Sequence, residues 1–145
     1  MGDRADPGTT AAFEPIVILG SDSRLQSQFG SRQGDVLRIN KVPTERHRVL
    51  YGPHVTLPAG HYRFELTFEV ETPSPRDVEV DLSSDGGARA FYARRCFEWE
   101  LTRGLIRISH PFKGSVEQFE LRLYASGEFV AAVKQLTISL CAEDS

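Results

Sequence analysis

Tyr92 and Arg94 are the side chains best suited to recognise a polar ring. They stand two residues apart, so they share one face if this segment is an extended strand. An aromatic ring stacks on the C–H face of a saccharide, while a planar guanidinium donates paired hydrogen bonds to oxygen atoms. Asp81 is expected opposite this pair, across the Asp85-Gly86 turn. An ordinary surface salt bridge is the alternative interpretation of these charges.

Tyr51 and His54 form a second candidate group. They flank Gly52-Pro53, which interrupts an otherwise strand-like segment and predicts a bend at the edge of a sheet. Side chains at such a bend are expected to be exposed, so both are candidate ligand-binding residues.

Trp99 is the only tryptophan in the chain. Its spacing from Phe97 and Leu101 gives the three residues one period-two phase, which favours a buried position. Stacking of Trp99 on a ligand is the alternative, and it keeps Trp99 among the candidate site residues.

The histidines do not predict a metal site. His47, His54 and His61 are spaced by seven residues but fall in three different local structures. His61 and Glu65 share a strand face, yet four residues along a strand separate their Cα atoms by roughly 13 Å, too far for one ion. We therefore expect no metal and no other cofactor.

The sequence does not predict a catalytic site either. The sequence has no Gly-x-Ser-x-Gly nucleophile motif, and Gly86-Gly87 lies in a predicted hairpin rather than in a phosphate-binding loop. Asp81, Glu98 or Glu100 could supply the carboxylate pair of a small jelly-roll hydrolase, but solvated strand faces are the favoured explanation. We expect no catalytic residue.

Residues 57–70 give the clearest structural signal. After a turn at residues 58–60, apolar and polar residues alternate strictly. The apolar positions are Tyr62, Phe64, Leu66, Phe68 and Val70, and the polar positions are His61, Arg63, Glu65, Thr67 and Glu69. This period of two predicts a long antiparallel strand with one buried face.

Shorter segments with apolar runs or alternation predict the other strands. They are residues 16–19, 35–39, 48–57, 77–83, 88–94, 96–101, 105–109, 117–125 and 129–140. Residues 21–34 and 110–115 are predicted to be loops, the first with at most one helical turn. The chain is therefore predicted to be all-β, an antiparallel two-sheet β-sandwich of the jelly-roll type with nine or ten strands.

Length and composition predict one domain. The chain has 145 residues, a length typical of a single domain, and a net charge of −3. We expect a flexible leader at residues 1–12, a β-sandwich domain at residues 13–141 and a short tail at residues 142–145. The acidic balance argues against nucleic-acid binding, which favours basic surfaces.

The N-terminus and the cysteines bear on location. The first residues lack the apolar core of a signal peptide, and no run reaches transmembrane length. We expect a cytoplasmic protein, or a domain cut from a larger chain, without membrane insertion.

Cys96 and Cys141 match no metal-binding spacing. Free thiols are favoured, and a bridge between two late strands stays open.

Two stretches of the chain resemble a known fold family. Residues 51–64, with Pro58-Ala59-Gly60 before Tyr62, resemble a strand of carbohydrate-binding modules with the galactose-binding-like jelly roll. Residues 119–138 resemble the end of those modules, although Gln135 stands where an acid is common. The resemblance implies a two-sheet jelly roll and a sugar bound on a concave sheet face or at edge loops. It does not imply the family's structural calcium, because no compact group of oxygen ligands is visible.

We therefore predict a non-catalytic carbohydrate-binding module whose partner is a carbohydrate. Its candidate binding residues are Tyr51, His54, Asp81, Tyr92, Arg94 and Trp99. The alternative is a structural or oligomerisation β-sandwich that contacts other domains of a larger chain, or copies of itself, through a sheet edge or face.

Overall fold

The computed structural model describes residues 13–42, 45–72 and 75–141. The predicted leader and tail, residues 1–12 and 142–145, lie outside the described residues. Within the described ranges the chain forms ten strands and one short α-helix. The strands are β1 Ile16–Leu19, β2 Gly30–Gln33, β3 Val36–Lys41, β4 His47–Leu57, β5 Gly60–Val70, β6 Arg76–Ser84, β7 Arg89–Arg95, β8 Leu105–Phe112, β9 Val116–Ser126 and β10 Phe129–Leu140; the helix is α1 Glu98–Arg103.

The strands build two antiparallel sheets. The four-stranded sheet has the order β4-β9-β6-β7. The six-stranded sheet has the order β2-β3-β10-β5-β8, and β1 pairs with β10 on the side that β3 also occupies. This arrangement confirms the predicted all-β, antiparallel, two-sheet sandwich. No helix in the described part of the chain is long and apolar enough to cross a membrane.

Strand β5 places the core, as its alternation predicts. Tyr62, Phe64, Leu66 and Phe68 are all buried. Phe64 stacks on Phe119 of β9 with 4.9 Å between ring centroids, so it joins the two sheets. Burial of each such side chain contributes about 1.5–3 kcal/mol to folding. At the start of the described chain, Phe13 also packs edge-on against Tyr62, with 5.2 Å between ring centroids.

Strand β4 has the predicted bend and the predicted edge position. The Gly52–Pro53 peptide bond is cis, and His54 follows with a φ of 64°, a left-handed conformation that is uncommon for a residue with a side chain. The register between β4 and β9 shifts in the same region. A Cβ atom on residue 52 would collide with the carbonyl oxygen of Arg24, so glycine is required there.

The predicted strand at residues 96–101 is wrong, because helix α1 occupies most of it. The Glu100 side chain accepts a hydrogen bond from the backbone N–H of Phe97 at 2.8 Å, which satisfies a free donor at the helix start. Gly104 ends the helix with a φ of 76°, where a Cβ atom would collide with the Phe68 carbonyl oxygen. The apolar spacing of a six-residue segment fits a strand and a helix alike, and these two caps decide between them.

Two predicted loops also contain strand residues. Gly30–Gln33 forms β2, which pairs with β3 as a hairpin around Gly34. Residues 110–112 continue β8, because Phe112 is buried in the core and pairs with Gly60 of β5. The predicted Asp-Gly hairpin does connect β6 and β7, but through a short 3-10 turn at Asp85–Gly87.

Candidate functional site

The structure divides the predicted binding residues between two regions. The outer face of the four-stranded sheet contains Tyr51, His54 and Asp81. The other face of β7 and the following helix carry Tyr92, Arg94 and Trp99. The two groups therefore cannot form a single site.

Cross-strand pairing arranges the outer face of the four-stranded sheet into three rows. From β4 to β7 they are Arg48–Tyr124–Glu79–Arg95, Tyr51–Arg122–Asp81–Ala93 and Pro53–Glu120–Ser83–Ala90. Residues paired across antiparallel strands point to the same side, so these rows form one continuous surface. We call this surface, together with Arg46 and His54, the arginine–tyrosine face.

Guanidinium groups cover the aromatic rings of this face. The Arg48 Cζ atom lies 3.8 Å from the centroid of the Tyr51 ring. Arg46 lies 4.3 Å from the centroid of Tyr124, and Arg122 lies 5.4 Å from the same centroid. The Arg48 and Arg46 contacts are close enough to cover the ring surfaces on which a sugar would stack.

The acids of the arginine–tyrosine face are also engaged. Arg122 donates two hydrogen bonds to Asp81, at 2.8 and 2.7 Å, and this pairing raises the pKa of Arg122. The Nε2 atom of His54 lies 3.0 Å from Oε2 of Glu120. A ligand that bound these side chains would have to displace the Arg122–Asp81 hydrogen bonds or the His54–Glu120 contact.

Two buried oxygen atoms on this face, Glu120 Oε1 and Ser83 Oγ, have no hydrogen-bond partner among the described residues. Glu120 is 1% exposed and Ser83 is fully buried. The Asp85–Gly87 turn closes over the neighbouring Arg122, because a Cβ atom on Gly87 would collide with its Nη1 atom. The polar centre of the face is therefore largely shielded from solvent.

Asp81 does not lie opposite Tyr92 and Arg94, so that expectation is wrong. In the β6–β7 register Tyr92 pairs with Leu82 and Arg94 pairs with Val80, which places both on the inner side of the sheet. Asp81 pairs with Ala93 and points outward. A step of one residue along a strand reverses the direction of a side chain, and Asp81 is one residue away from both partners.

Tyr92 and Arg94 lie on the same face of β7 but contact different residues. The Tyr92 ring lies 5.9 Å from the His110 ring of β8, in the gap between the two edge strands. Burial lowers the pKa of His110, and the charge of nearby His61 lowers it further. Arg94 turns toward α1 instead.

Arg94 and Glu100 form a buried fork that holds α1. Arg94 Nη1 and Nη2 each donate to a Glu100 oxygen at 2.8 Å. Burial alone raises the pKa of Glu100, but the hydrogen bonds from Arg94 and from the Phe97 N–H, with the Arg94 charge, outweigh it and lower that pKa. The Arg94 guanidinium, which the sequence predicts to bind a ligand, therefore positions the helix instead.

Phe97 and Trp99 form an exposed aromatic pair, which we call the aromatic platform. Trp99 is 56% exposed and Phe97 is 53% exposed. Their rings are nearly parallel, with 6.0 Å between centroids and an interplanar angle of 7°. Arg94 lies 5.2 Å from the Phe97 centroid and Arg103 lies 5.7 Å from that of Trp99. The buried position that the period-two spacing favours for Trp99 is wrong, because Glu98–Arg103 forms a helix and not a strand.

A cleft of about 570 Å³ opens on the neighbouring side of α1. Its apolar lining is Val70, Pro75, Val78, Cys96 and Leu101, and its polar lining is Glu71, Thr72, Asp77, Arg95, Glu98 and Thr102. Glu98, Leu101 and Thr102 follow the i, i+3, i+4 spacing of one helix face. Trp99 follows Glu98 directly, so the two side chains leave the helix about 100° apart. The aromatic platform and the cleft are therefore adjacent.

Sequence reasoning missed the cleft because its walls come from separate parts of the chain. Glu71 is paired with Arg38 at 2.6 and 2.7 Å, and Asp77 lies 3.5 Å from Arg95. Glu98 has no ion pair within the described ranges. The available signals were Glu100, three residues after Phe97 at the helix start, and Gly104 at the helix end.

The acids considered for a hydrolase do not converge. Asp81 is paired on the arginine–tyrosine face, Glu100 is buried against Arg94, and Glu98 borders the cleft. Among residues 13–42, 45–72 and 75–141, no three His, Cys, Asp or Glu side chains are grouped to hold a metal ion. Cys96 and Cys141 are both free thiols.

Comparison with known proteins identifies the fold. No protein-family model matches the chain, and no curated protein sequence matches it. The C-terminal CBM6 of LamC, a marine laminarinase from Zobellia galactanivorans, has a TM-score of 0.55 and 13% identity, covering 87% of this chain and 99% of that one. The carbohydrate-binding module CBM6cm-2 of Cellvibrio mixtus lichenase 5A, in complex with cellotriose, has a TM-score of 0.53 and 12% identity, covering 87% and 97%.

A third similar structure is that of accessory secretory proteins 1, 2 and 3 from Streptococcus pneumoniae. It has a TM-score of 0.55 and 14% identity, and covers 80% of this chain and 95% of that chain. At such identities the likeness concerns the fold alone, and the chain shares the two-sheet β-sandwich of these carbohydrate-binding modules. The resemblance in the sequence is confirmed at that level.

Proposed function

We propose that this chain is a non-catalytic carbohydrate-binding module that binds a saccharide at the aromatic platform and the adjoining cleft. The observation that carries the proposal is the exposed, nearly parallel Phe97–Trp99 pair beside a cleft of about 570 Å³. Binding pockets for small molecules commonly measure about 300–1,000 Å³.

The two parts of this region supply complementary chemistry. The C–H face of a sugar ring packs on an indole, and burial of an exposed tryptophan surface stabilises the complex. The hydroxyl groups need donors and acceptors, which the cleft provides through Glu98, Arg95 and Thr102. Trp99 is thus assigned the stacking role, while Arg94 acts through α1 rather than on the ligand.

The fold supports carbohydrate binding in general. Two of the similar structures are modules of a laminarinase and a lichenase, and one of them was solved with cellotriose. A glycan array followed by calorimetric titration with cellotriose is the starting experiment, on the full 145-residue chain.

Replacement of Trp99 tests the site directly. We expect Trp99→Ala to weaken saccharide binding by about tenfold or more, because an exposed indole surface no longer becomes buried. Leu140→Ala is the matched control, since Leu140 is an exposed apolar side chain on β10. If Trp99→Ala binds as tightly as the control variant, the platform is not the site.

The alternative, a structural or oligomerisation domain, makes a different prediction. Protein contact through the same exposed rings would give a stable dimer and no response to any glycan. Light scattering during size-exclusion chromatography distinguishes the two, because a monomer with a glycan-dependent rise in Tm fits only the binding module.

A further inference from the structure

We infer that the saccharide carries an acetamido group, whose methyl enters the apolar part of the cleft while its amide meets the polar residues of α1. This inference rests on the proposed function, because it concerns the same platform and cleft. The observation behind it is a difference in burial within the cleft lining, where Val78, Cys96 and Leu101 are buried while Glu98 and Thr102 are exposed.

The floor of the cleft favours a methyl group over a hydroxyl. We define the floor as the apolar lining residues that pack into or against the core, which are the buried Val78, Cys96 and Leu101 and the partly buried Val70. Burial raises the pKa of Cys96 to about 12, so the thiol stays neutral and behaves as a small apolar group. A hydroxyl placed here would lose its hydrogen bonds to water without replacement. An unsubstituted hexose offers only hydroxyls and ring C–H groups, whereas an acetamido sugar offers a methyl.

The helix face above the floor suits the amide of the same group. Glu98 and Thr102 lie one helical turn apart, with about 5–6 Å between their Cβ atoms. The Glu98 carboxylate accepts a hydrogen bond from the N–H of the acetamido group, and the Thr102 hydroxyl donates one to its carbonyl oxygen. A 6-deoxy sugar would supply the methyl but neither amide partner, so the acetamido group fits the cleft better.

The direct test compares two trisaccharides with the same glucose-type, β-1,4-linked backbone. Cellotriose carries a hydroxyl at carbon 2, and triacetylchitotriose carries an acetamido group there. We expect triacetylchitotriose to bind at least about fourfold more tightly, the ratio that burial of one methyl group gives. Equal affinities, or tighter binding of cellotriose, would overturn the acetamido inference and leave saccharide binding intact. Binding of neither, and of no other glycan, would instead refute the proposed function.

A substitution in the floor locates the effect. Val70→Thr replaces a methyl by a hydroxyl with little change in shape, and we expect the chitotriose preference to fall to about twofold or less. Val55→Thr on β4 is the matched control, since Val55 is also partly buried and lies at the opposite edge of the four-stranded sheet. A preference that survives Val70→Thr would contradict the floor assignment.

A second variant keeps the test available if Val70→Thr does not fold. Thr102 is exposed on α1, so Thr102→Val is expected to fold normally. It removes the donor to the amide carbonyl, and we expect the chitotriose preference to fall several-fold, as for the loss of one hydrogen bond. An unchanged preference in Thr102→Val would overturn the amide contact.

Discussion

The arginine–tyrosine face and the aromatic platform are built from the same kinds of side chain. On the face, Arg48 and Arg46 lie directly on Tyr51 and Tyr124, at 3.8 and 4.3 Å from the ring centroids. On the platform, Arg94 is turned onto Glu100, and the rings of Phe97 and Trp99 stay more than half exposed. The nearest guanidinium carbons lie 5.2 Å from the Phe97 centroid and 5.7 Å from the Trp99 centroid, so the platform rings are less closely covered than Tyr51 and Tyr124 and stay available to a ligand.

The two regions are also expected to differ in what their side chains affect, protein stability or ligand binding. The Arg122–Asp81 fork is largely buried and shielded by the turn at Gly87. A buried ion pair contributes little when both partners are present, but loss of one leaves a desolvated charge. We therefore expect substitutions on the face to change the free energy of unfolding, and substitutions on the platform to change affinity.

The largest expected effect is that of Arg122→Ala. It leaves the Asp81 carboxylate buried without its partner, so we expect a destabilisation of about 3 kcal/mol. Urea denaturation measures this, and the double variant Arg122→Ala with Asp81→Ala should recover part of the loss. If the single variant unfolds at the unchanged urea concentration, the face has no role in stability.

Glu100→Gln tests how the platform is held. It removes the charge that Arg94 binds, and we expect a destabilisation of about 1–2 kcal/mol together with a changed Trp99 emission spectrum. Glu65→Gln is the matched control, because it breaks the exposed Glu65–Arg107 pair at 2.7 Å and should cost less than about 1 kcal/mol. Equal costs for the two variants would mean that the Arg94–Glu100 fork is an ordinary surface pair.

The pH dependence of the same fork has a defined sign. The pKa of Glu100 is lowered in the folded protein, so its contribution to stability is present above the ordinary glutamate pKa of about 4.3. That contribution is lost as the pH falls through the lowered value. We expect the stability difference between the unmodified chain and Glu100→Gln to be constant above pH 5 and to shrink below about pH 4. A difference that grows on acidification would contradict this assignment.

The smallest expected effect is that of Arg48→Ala. It uncovers the Tyr51 ring and removes one partly exposed cation–π contact, which costs about 0.5–1 kcal/mol or less. Saccharide affinity should stay within about twofold, a difference of about 0.4 kcal/mol. A larger change in affinity would place the ligand on the arginine–tyrosine face and end the distinction between the two regions.

The fold was accessible from the sequence where one simple rule governs a long segment. The alternation of residues 61–70 predicts β5 and its buried face, and Gly52-Pro53 predicts the bend in β4. These signals are local, because period two and proline geometry act within a few residues.

The candidate site was less accessible, because it depends on register and on a short helix. The relative direction of Asp81 and Tyr92 depends on which residues pair between β6 and β7, where the register shifts after Leu82. The exposure of Trp99 depends on Glu100 and Gly104, whose capping roles outweigh the apolar spacing. Each feature needs a contact between residues that the sequence pattern does not connect.

Strand β5 also separates the cleft from the ends of the described chain. Phe13 packs on Tyr62, and the N–H of Cys141 bonds to the carbonyl oxygen of His61, so both ends lie at the start of β5. Val70, at the other end of that strand, borders the cleft. The eight steps from Tyr62 to Val70 span roughly 26 Å. A label attached directly at Phe13 or Cys141 would thus lie near the end of β5 that is opposite to the cleft.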